Sequence, residues 1–396
     1  MKKVLLSTAA ICGLVMAASP AQAQLSVDLG GYFKGYGFYT DQDDDNGGVA
    51  GAGESRNFDI IRNTEVHVGG ETTLDNGLTV GVHLEMEADG NSADGFEVQE
   101  SYAYFSGGWG RVNFGAEDGA AYLLQVAAPS ADENLDGIRQ FVNPINYAAM
   151  DPAGAVALGA LVVEGGDGVD YDQDVSGYAD KLTYLTPIMN GFQLGMSYTP
   201  DLADASTEDA LNLNDVDEAF GAVYEAAVRY EGQFNNVGVI VGAGYTHADL
   251  ENLIAPQAAG EPTDDRTAWN VGLDLDIGPF GVGVIYMEDD FGETATGVTT
   301  EQEEEQTLVV GVDYTTGPFK LGASYMDVDG ENNVAGAVGN DGVETNRYTG
   351  GVVYTYGPGM TFRGSISYAE FDNVPGLTSG DSTDATSILL GTQINF

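Results

Sequence analysis

The sequence predicts an all-β protein, a transmembrane antiparallel β-barrel of sixteen strands, and three features predict it. Strand-length segments alternate between apolar and polar residues, long and short connections alternate between them, and the chain ends inside such a segment, on Phe396. Beyond the N-terminus no apolar run approaches the ~18 residues of a membrane helix, so a bilayer could be crossed only by a closed barrel.

The first segment is an export signal. "MKKVLLSTAAICGLVMAASPAQA" joins Lys2 and Lys3 to an apolar run from Val4 to Ala18 and a small-x-small end at Ala21-Gln22-Ala23, the build of a secretory signal peptide over residues 1–23. Residues 24–396 then read as one barrel domain. The single cysteine, Cys12, leaves with the leader, which removes disulfide and thiol chemistry. With 62 acidic against 13 basic residues the formal net charge is -49, which excludes nucleic acid as a partner. Such charge would fit disorder, but 10% aromatics and 56 glycines set in alternating segments favour ordered strands.

Taken in order, strands are expected near 25–40, 56–71, 78–88, 96–106, 110–118, 179–187, 192–199, 219–231, 237–247, 267–277, 280–287, 306–315, 319–326, 346–356, 360–371 and 385–396. The third is the clearest: in "LTVGVHLEMEAD", Leu78, Val80, Val82, Leu84 and Met86 share one face while His83, Glu85, Glu87 and Asp89 share the other. After residue 180 a unit returns about every 40 residues, each with a tight turn such as "GPF" at Gly278 and Gly317 followed by a strand ending in a tyrosine, among them Tyr198, Tyr245, Tyr286, Tyr325 and Tyr368. In four of these strands a phenylalanine, Phe192, Phe280, Phe319 or Phe362, stands six residues earlier on the same face. Aromatics therefore bracket the apolar parity, as at the two edges of a lipid-facing band. The tight turns fall on one rim and loops such as "PDLADASTEDALNLNDVDE" on the other. An even strand count closes the ring by pairing the last strand with the first. A hairpin at "AVALGALVV" would instead give eighteen strands.

Charge obeys the same parity. A lipid-facing charge at mid-depth costs ~2 to 4 kcal/mol, and Lys34, Arg111, Lys181, Arg229, Lys320, Arg347 and Arg363 all fall opposite the apolar residues. They are expected to line water, together with Glu65, His67, His83, Glu85, Glu87, Glu225, Asp274 and Asp276. Arg62 is the exception: it falls with Phe58, Ile60 and Val66 unless a bulge shifts the register.

In several stretches the chain resembles the general Gram-negative porins, the alphaproteobacterial branch above all. "VHVGGETTLDNGLTVGVHLE" is similar to that family's second and third strands, "SYAYFSGGWGRVNFGAEDGAA" to its fourth and fifth with the entry to loop 3, and "DKLTYLTPIMNGFQLGMSYTP" to its sixth and seventh. The resemblance implies a sixteen-stranded outer-membrane channel, commonly a homotrimer, whose long third loop, here residues 118–178, folds into the lumen. It implies that Asp132, Glu133 and Asp136, with Arg139 nearby, belong to this constriction loop and face a basic cluster on the opposite wall. It also implies that Phe396 is the signal read by the barrel assembly machinery, and that outer-membrane lipid and lipopolysaccharide surround the wall. Glu65 and Glu85 depart from the pattern, since the family frequently has basic groups there; they favour preference for cations, which a negative channel concentrates.

"DQDDDNGG" offers Asp43, Asp44 and Asp45 as oxygen ligands, but Asn46 stands where an EF-hand needs glycine, so the expectation is no cofactor beyond loosely bound Ca2+ at acidic loops. No enzyme is expected either, because the three histidines lie on different strands and no nucleophile and base are placed within reach. The reading is a passive diffusion channel for ions and small hydrophilic solutes. Its rivals are a structural or adhesive barrel plugged by its long loop, and a soluble secreted β protein.

Overall fold

A computed structural model describes residues 25–43, 56–88, 97–146, 169–202, 220–251, 264–292, 302–332, 341–372 and 382–396. Residues 1–24, with Cys12 and the expected leader, the residues Asp44 and Asp45, and the apolar run at 155–163 lie outside them. Sixteen strands follow in order: β1 (Ser26–Gln42), β2 (Phe58–Thr73), β3 (Thr79–Glu87), β4 (Glu97–Gly107), β5 (Gly110–Ala116), β6 (Asp180–Leu185), β7 (Phe192–Thr199), β8 (Phe220–Phe234), β9 (Val237–Leu250), β10 (Arg266–Ile277), β11 (Phe280–Asp290), β12 (Gln302–Thr316), β13 (Phe319–Asn332), β14 (Asp341–Gly357), β15 (Met360–Asp372) and β16 (Ser382–Asn395). Each pairs antiparallel with its sequence neighbours, and β16 pairs with β1. The ring closes with sixteen strands, so the eighteen-strand alternative is not needed to complete it. At the seam Gly31 and Phe396 exchange backbone hydrogen bonds, each 3.1 Å long, and the terminal aromatic completes the sheet.

The turns follow from local stereochemistry. Gly278 has φ +66 and is followed by Pro279, whose ring fixes a negative φ. A two-residue hairpin of the II′ kind needs just this order, glycine first, because its twist matches that of the flanking strands.

One face of the wall is apolar and uncovered: Val82 is 50% exposed and Ile388 52%. The aromatics predicted to bracket it form two rows of cross-strand pairs. Phe192 lies against Tyr230, Phe280 against Tyr314 and Phe319 against Tyr354 near the tight turns, with centroids 4.6 to 4.9 Å apart. Tyr198 with Tyr224, Trp269 with Tyr286 and Tyr325 with Tyr348 form the other row. Cross-strand rings of this sort, directly opposed in every pair but the diagonal Trp269–Tyr286, stabilise a strand pair by about 0.2 to 1 kcal/mol each.

Arg62 does not follow the sequence expectation. The β1–β2 pairing runs from Ser26 opposite Glu71 to Tyr39 opposite Phe58 without a shift, so no bulge returns this side chain to the polar face. It stays exposed on the apolar face, over a shallow groove lined by Phe33, Gly35, Gly37, Phe58 and Ile60.

Candidate functional site

The connection between β5 and β6 carries two helical turns, α1 (Ala120–Leu123) and α2 (Glu133–Asp136), and its described parts lie on the polar face of the wall. A track of glycines receives it. A Cβ on Gly242 or Gly272 would come within 2.9 or 2.8 Å of Val126 carbons, and one on Gly322 within 2.5 Å of the Ala131 nitrogen. On Gly311 a Cβ would overlap the Pro129 carbonyl oxygen. Only a wall without side chains there lets a backbone lie this close.

The track leads to Asp132, which has no exposed surface. Its carboxylate accepts hydrogen bonds from the Tyr36 hydroxyl of β1 at 2.9 Å, from Arg363 Nη1 of β15 at 2.8 Å and from Ser365 Oγ at 2.9 Å. A buried anion needs several donors, and here it has them. Arg363 also reaches Glu133 Oε1 at 3.2 Å. Asn134 donates to Tyr36 Oη and to Gln393 Oε1, at 2.9 and 3.0 Å. Nearby, Ser324 donates to Asp136 at 2.7 Å, and Arg347 donates to the carbonyls of Leu135 and Val169.

A second knot ties the segment to itself. Arg139 donates to Asp172 at 2.8 Å, to Asp174 at 2.8 Å, to Asp118 at 3.2 Å and to the Tyr178 hydroxyl at 2.6 Å, with its guanidinium 4.5 Å from the Tyr122 ring centre. The start, middle and end of the connection meet at one cation. Burial pushes Asp118 and Asp174 above the usual carboxylate range despite the opposing pull of Arg139.

Apolar contacts finish the docking. Ala128, Val169 and Tyr171 pack on Ile285, Val309, Met326 and Phe371, while Leu135 and Val142 pack on Tyr36 and Leu389. These wall residues belong to the polar parity, so the alternation gives way to apolar side chains where the segment covers it. Among the described residues three such clusters form, the third around Val175, Val223, Ala248 and Ala268.

The predicted wall residues therefore divide into two groups. Lys34, Lys181, Arg347 and Arg363 stand on the polar face as expected, but the segment covers them to between 3% and 7% exposure, and Glu65 and Glu225 are buried likewise at 6% and 4%, so the expectation that these six meet water is corrected. The Lys34 ammonium sits over the Phe141 ring, and Lys181 donates to the carbonyls of Glu117 and Gly177. Arg111, Arg229 and Lys320 are less covered; Arg111 bonds Asn113 at 2.6 Å, Arg229 donates to the Gln125 carbonyl at 2.8 Å, and Lys320 lies 3.4 Å from Asp313. The expectation that loop acids face a basic cluster across a gap is also modified: Asp132 touches its base directly. On β2 to β4 the wall is acidic, with Glu65, Glu85, Glu87 and Glu100 beside His67 and His83; Glu87 accepts from Gln99 at 3.1 Å. Asp43 donates its backbone N–H to the Asp384 carbonyl at 2.9 Å.

Sequence reasoning did not find Tyr36, Asn134, Asp172, Asp174 or Ser365. Their partners lie 33 or more residues away, and the signal present was the alternation in "YDQD", where Tyr171 and Gln173 face the wall and Asp172 and Asp174 face Arg139.

Asp136 gives the segment a pH dependence. Burial pushes this carboxyl up to about 6, Ser324 Oγ opposing, and Oδ1 has no hydrogen-bond partner. Its unfolded value is ~3.9, so the folded segment holds the proton more tightly. The stability this contributes is fully present below pH ~4 and lost as pH rises through about 6. Hydrogen exchange over residues 130–142, corrected for intrinsic rate, is expected to show stronger protection at pH 5 than at pH 7.5. Asp136→Asn is expected to abolish most of that difference.

A closed antiparallel ring with an apolar outside band, aromatic rows at its edges and a polar face overlaid by one long connection defines a transmembrane β-barrel. The model of the Gram-negative porin family matches residues 7–374. The chain belongs to that family. Among solved structures, it is similar to the anion-selective porin of Comamonas acidovorans, at 16% identity and a TM-score of 0.61 over 94% of this chain and 100% of that one. It is also similar to the trimer form of OmpT of Vibrio cholerae, at 15% identity and a TM-score of 0.55 over 94% and 99%. A curated protein of Rickettsia bellii without assigned function is 23% identical over 145 residues, 36% of this chain and 33% of its own length.

Proposed function

We propose that this protein is an outer-membrane porin, a water-filled channel through which ions and small hydrophilic solutes diffuse passively, with cations preferred. The observation that carries it is the closed sixteen-stranded ring of a Gram-negative porin family member, apolar on one face and polar on the other. The segment from 118 to 178 is read as the constriction, placed in the lumen. Its reach supports this: Val126 lies on β10 and Asp132 on β15, five interstrand steps of about 4.8 Å, or roughly 24 Å of wall before tilt. Six fully extended residues span at most about 21 Å, so a chord on the concave side is the path that fits.

Cation preference rests on which charges remain open. Lys34, Lys181, Arg347 and Arg363 are covered and partnered, as are the acids Glu65 and Glu225; of the predicted wall charges that keep exposed surface, Glu85, Glu87, Asp274 and Asp276, with Asp313 beside them, outnumber Arg111, Arg229 and Lys320. A focused negative field concentrates cations. In planar bilayers the protein is expected to give stepwise conductance and, across a KCl gradient, a reversal potential showing potassium more permeant than chloride. Chloride as the more permeant ion would overturn the preference; a silent inserted barrel would favour the plugged, structural reading.

The remaining assignments belong to the same proposal. A leader of residues 1–23 directs export, Phe396 serves as the assembly signal, and lipid with lipopolysaccharide surrounds the wall. Loosely held Ca2+ at the acidic tip beginning with Asp43 would bridge to lipopolysaccharide. A homotrimer is supported by Arg62, since a charge on the lipid-facing parity is disfavoured by hydrocarbon and shielded by a neighbouring subunit.

A further inference from the structure

We propose that His67, His83 and Glu85 on the polar face of β2 and β3 form a binding site for a divalent transition-metal ion of the Zn2+ type. Register brings them together: His67 lies opposite Glu85 and Gly69 opposite His83 in the β2–β3 ladder, so both imidazoles and the carboxylate fall on one face within two residues of each other. One ligand atom from each, taken together, lie within 4.8 Å of one another. The His67 Nδ1 stands 3.6 Å from Glu85 Oε1, and His83 Nε2 stands 2.7 Å from the same oxygen. Ligand atoms on a tetrahedral zinc with bonds of ~2.0 to 2.1 Å lie roughly 3.4 Å apart, so the first distance already fits and the second must open by about 0.7 Å, within reach of a rotation of the Glu85 side chain.

The surroundings point the same way. His67 Nε2 is buried and has no hydrogen-bond partner, yet Glu65 Oε2 faces it at 3.6 Å, too long for a hydrogen bond. With a metal on Nδ1, the Nε2 atom carries the proton, and Glu65 becomes the carboxylate that orients a ligating histidine. Glu100 Oε2, 3.9 Å from His83 Nε2, is in place as a fourth ligand, the second oxygen of the set. Tyr32 meets the edge of the His67 ring at 6.0 Å and Tyr102 the His83 ring at 5.3 Å, which hold both imidazoles in orientation. Two imidazoles with carboxylates suit first-row transition metals, whereas Ca2+ and Mg2+ take oxygen ligands.

The test is calorimetric titration of ZnCl2 into the full, folded barrel in detergent, a measurement that does not depend on conduction and so stands or falls separately from the channel assignment. One saturable equivalent is expected, undiminished by a hundredfold excess of Ca2+. Binding is expected to weaken at least tenfold in His83→Gln and in His67→Gln, and by about 10- to 100-fold in Glu65→Gln, with His247→Gln unchanged. Should a histidine variant fail to fold, Co2+ added to the unaltered protein is expected to give the visible absorption of a four-coordinate nitrogen and oxygen site, displaced by one equivalent of Zn2+. Unchanged affinity in a folded variant carrying both His67→Gln and His83→Gln, displacement by Ca2+, or a six-coordinate aqueous cobalt spectrum would each overturn the proposal.

Discussion

Asp132→Ala is expected to release the segment from β1 and β15 and to be the most damaging single change in the polar face. It leaves the Arg363 guanidinium, whose side chain is 5% exposed, without its closest counter-charge and strips Tyr36 and Ser365 of their acceptor. Removing one partner of a buried ion pair costs about 3 to 5 kcal/mol, most of it the penalty on the charge left behind. Asp132→Asn keeps the acceptor oxygen and should cost less. Replacing both partners, Asp132→Leu with Arg363→Met, should recover much of the loss, because no buried charge is then stranded. Protease resistance and hydrogen exchange over 126–142 provide the measurement; protection in Asp132→Ala equal to that of the unaltered protein would show that the glycine track and apolar clusters hold the segment unaided.

Arg139→Ala is expected to act on the opposite side of the same segment. Asp118, Asp172 and Asp174 would be left converging on an empty centre, again at about 3 to 5 kcal/mol near neutral pH. Burial already raises Asp118 and Asp174, and loss of the guanidinium removes the pull that opposes it. In the variant these carboxyls bind protons more tightly folded than unfolded, so the damage is greatest at high pH and relieved as pH falls below the raised values. The difference in protection of residues 117–125 and 169–178 between variant and parent should shrink from pH 7.5 to pH 4.5. A difference independent of pH would mean that the lost cation–ring contact with Tyr122, and not charge, carries the effect.

Much of the wall could be read in the sequence because a bilayer imposes a strict two-residue rule on it. β7 begins and ends where the alternation does, at Phe192 and Thr199. The rule lapses outside the apolar band, and there the expectation fell short: β12 to β14 extend beyond 306–315, 319–326 and 346–356, through acidic stretches such as Gln302–Glu305 and Asp327–Asn332 that carry no apolar residue on the lipid-facing parity. Backbone pairing continues there without lipid to demand a pattern. On the polar face the limit was different. Ile285, Met326, Phe371 and Leu389 interrupt the polar parity because what covers them comes from the connection between β5 and β6, far along the chain, and four bases predicted to meet water meet that same connection. His67 and His83 were visible individually; only the β2–β3 register made them neighbours.

The paired N–H and C=O groups of Gly31 and Phe396 also constrain how the molecule is made. Every other ladder joins strands adjacent in sequence, whereas the β1–β16 seam closes by far the longest loop of the ring. Until that seam closes, β1 and β16 each leave a row of unpaired N–H and C=O groups, a margin that invites pairing with another extended segment.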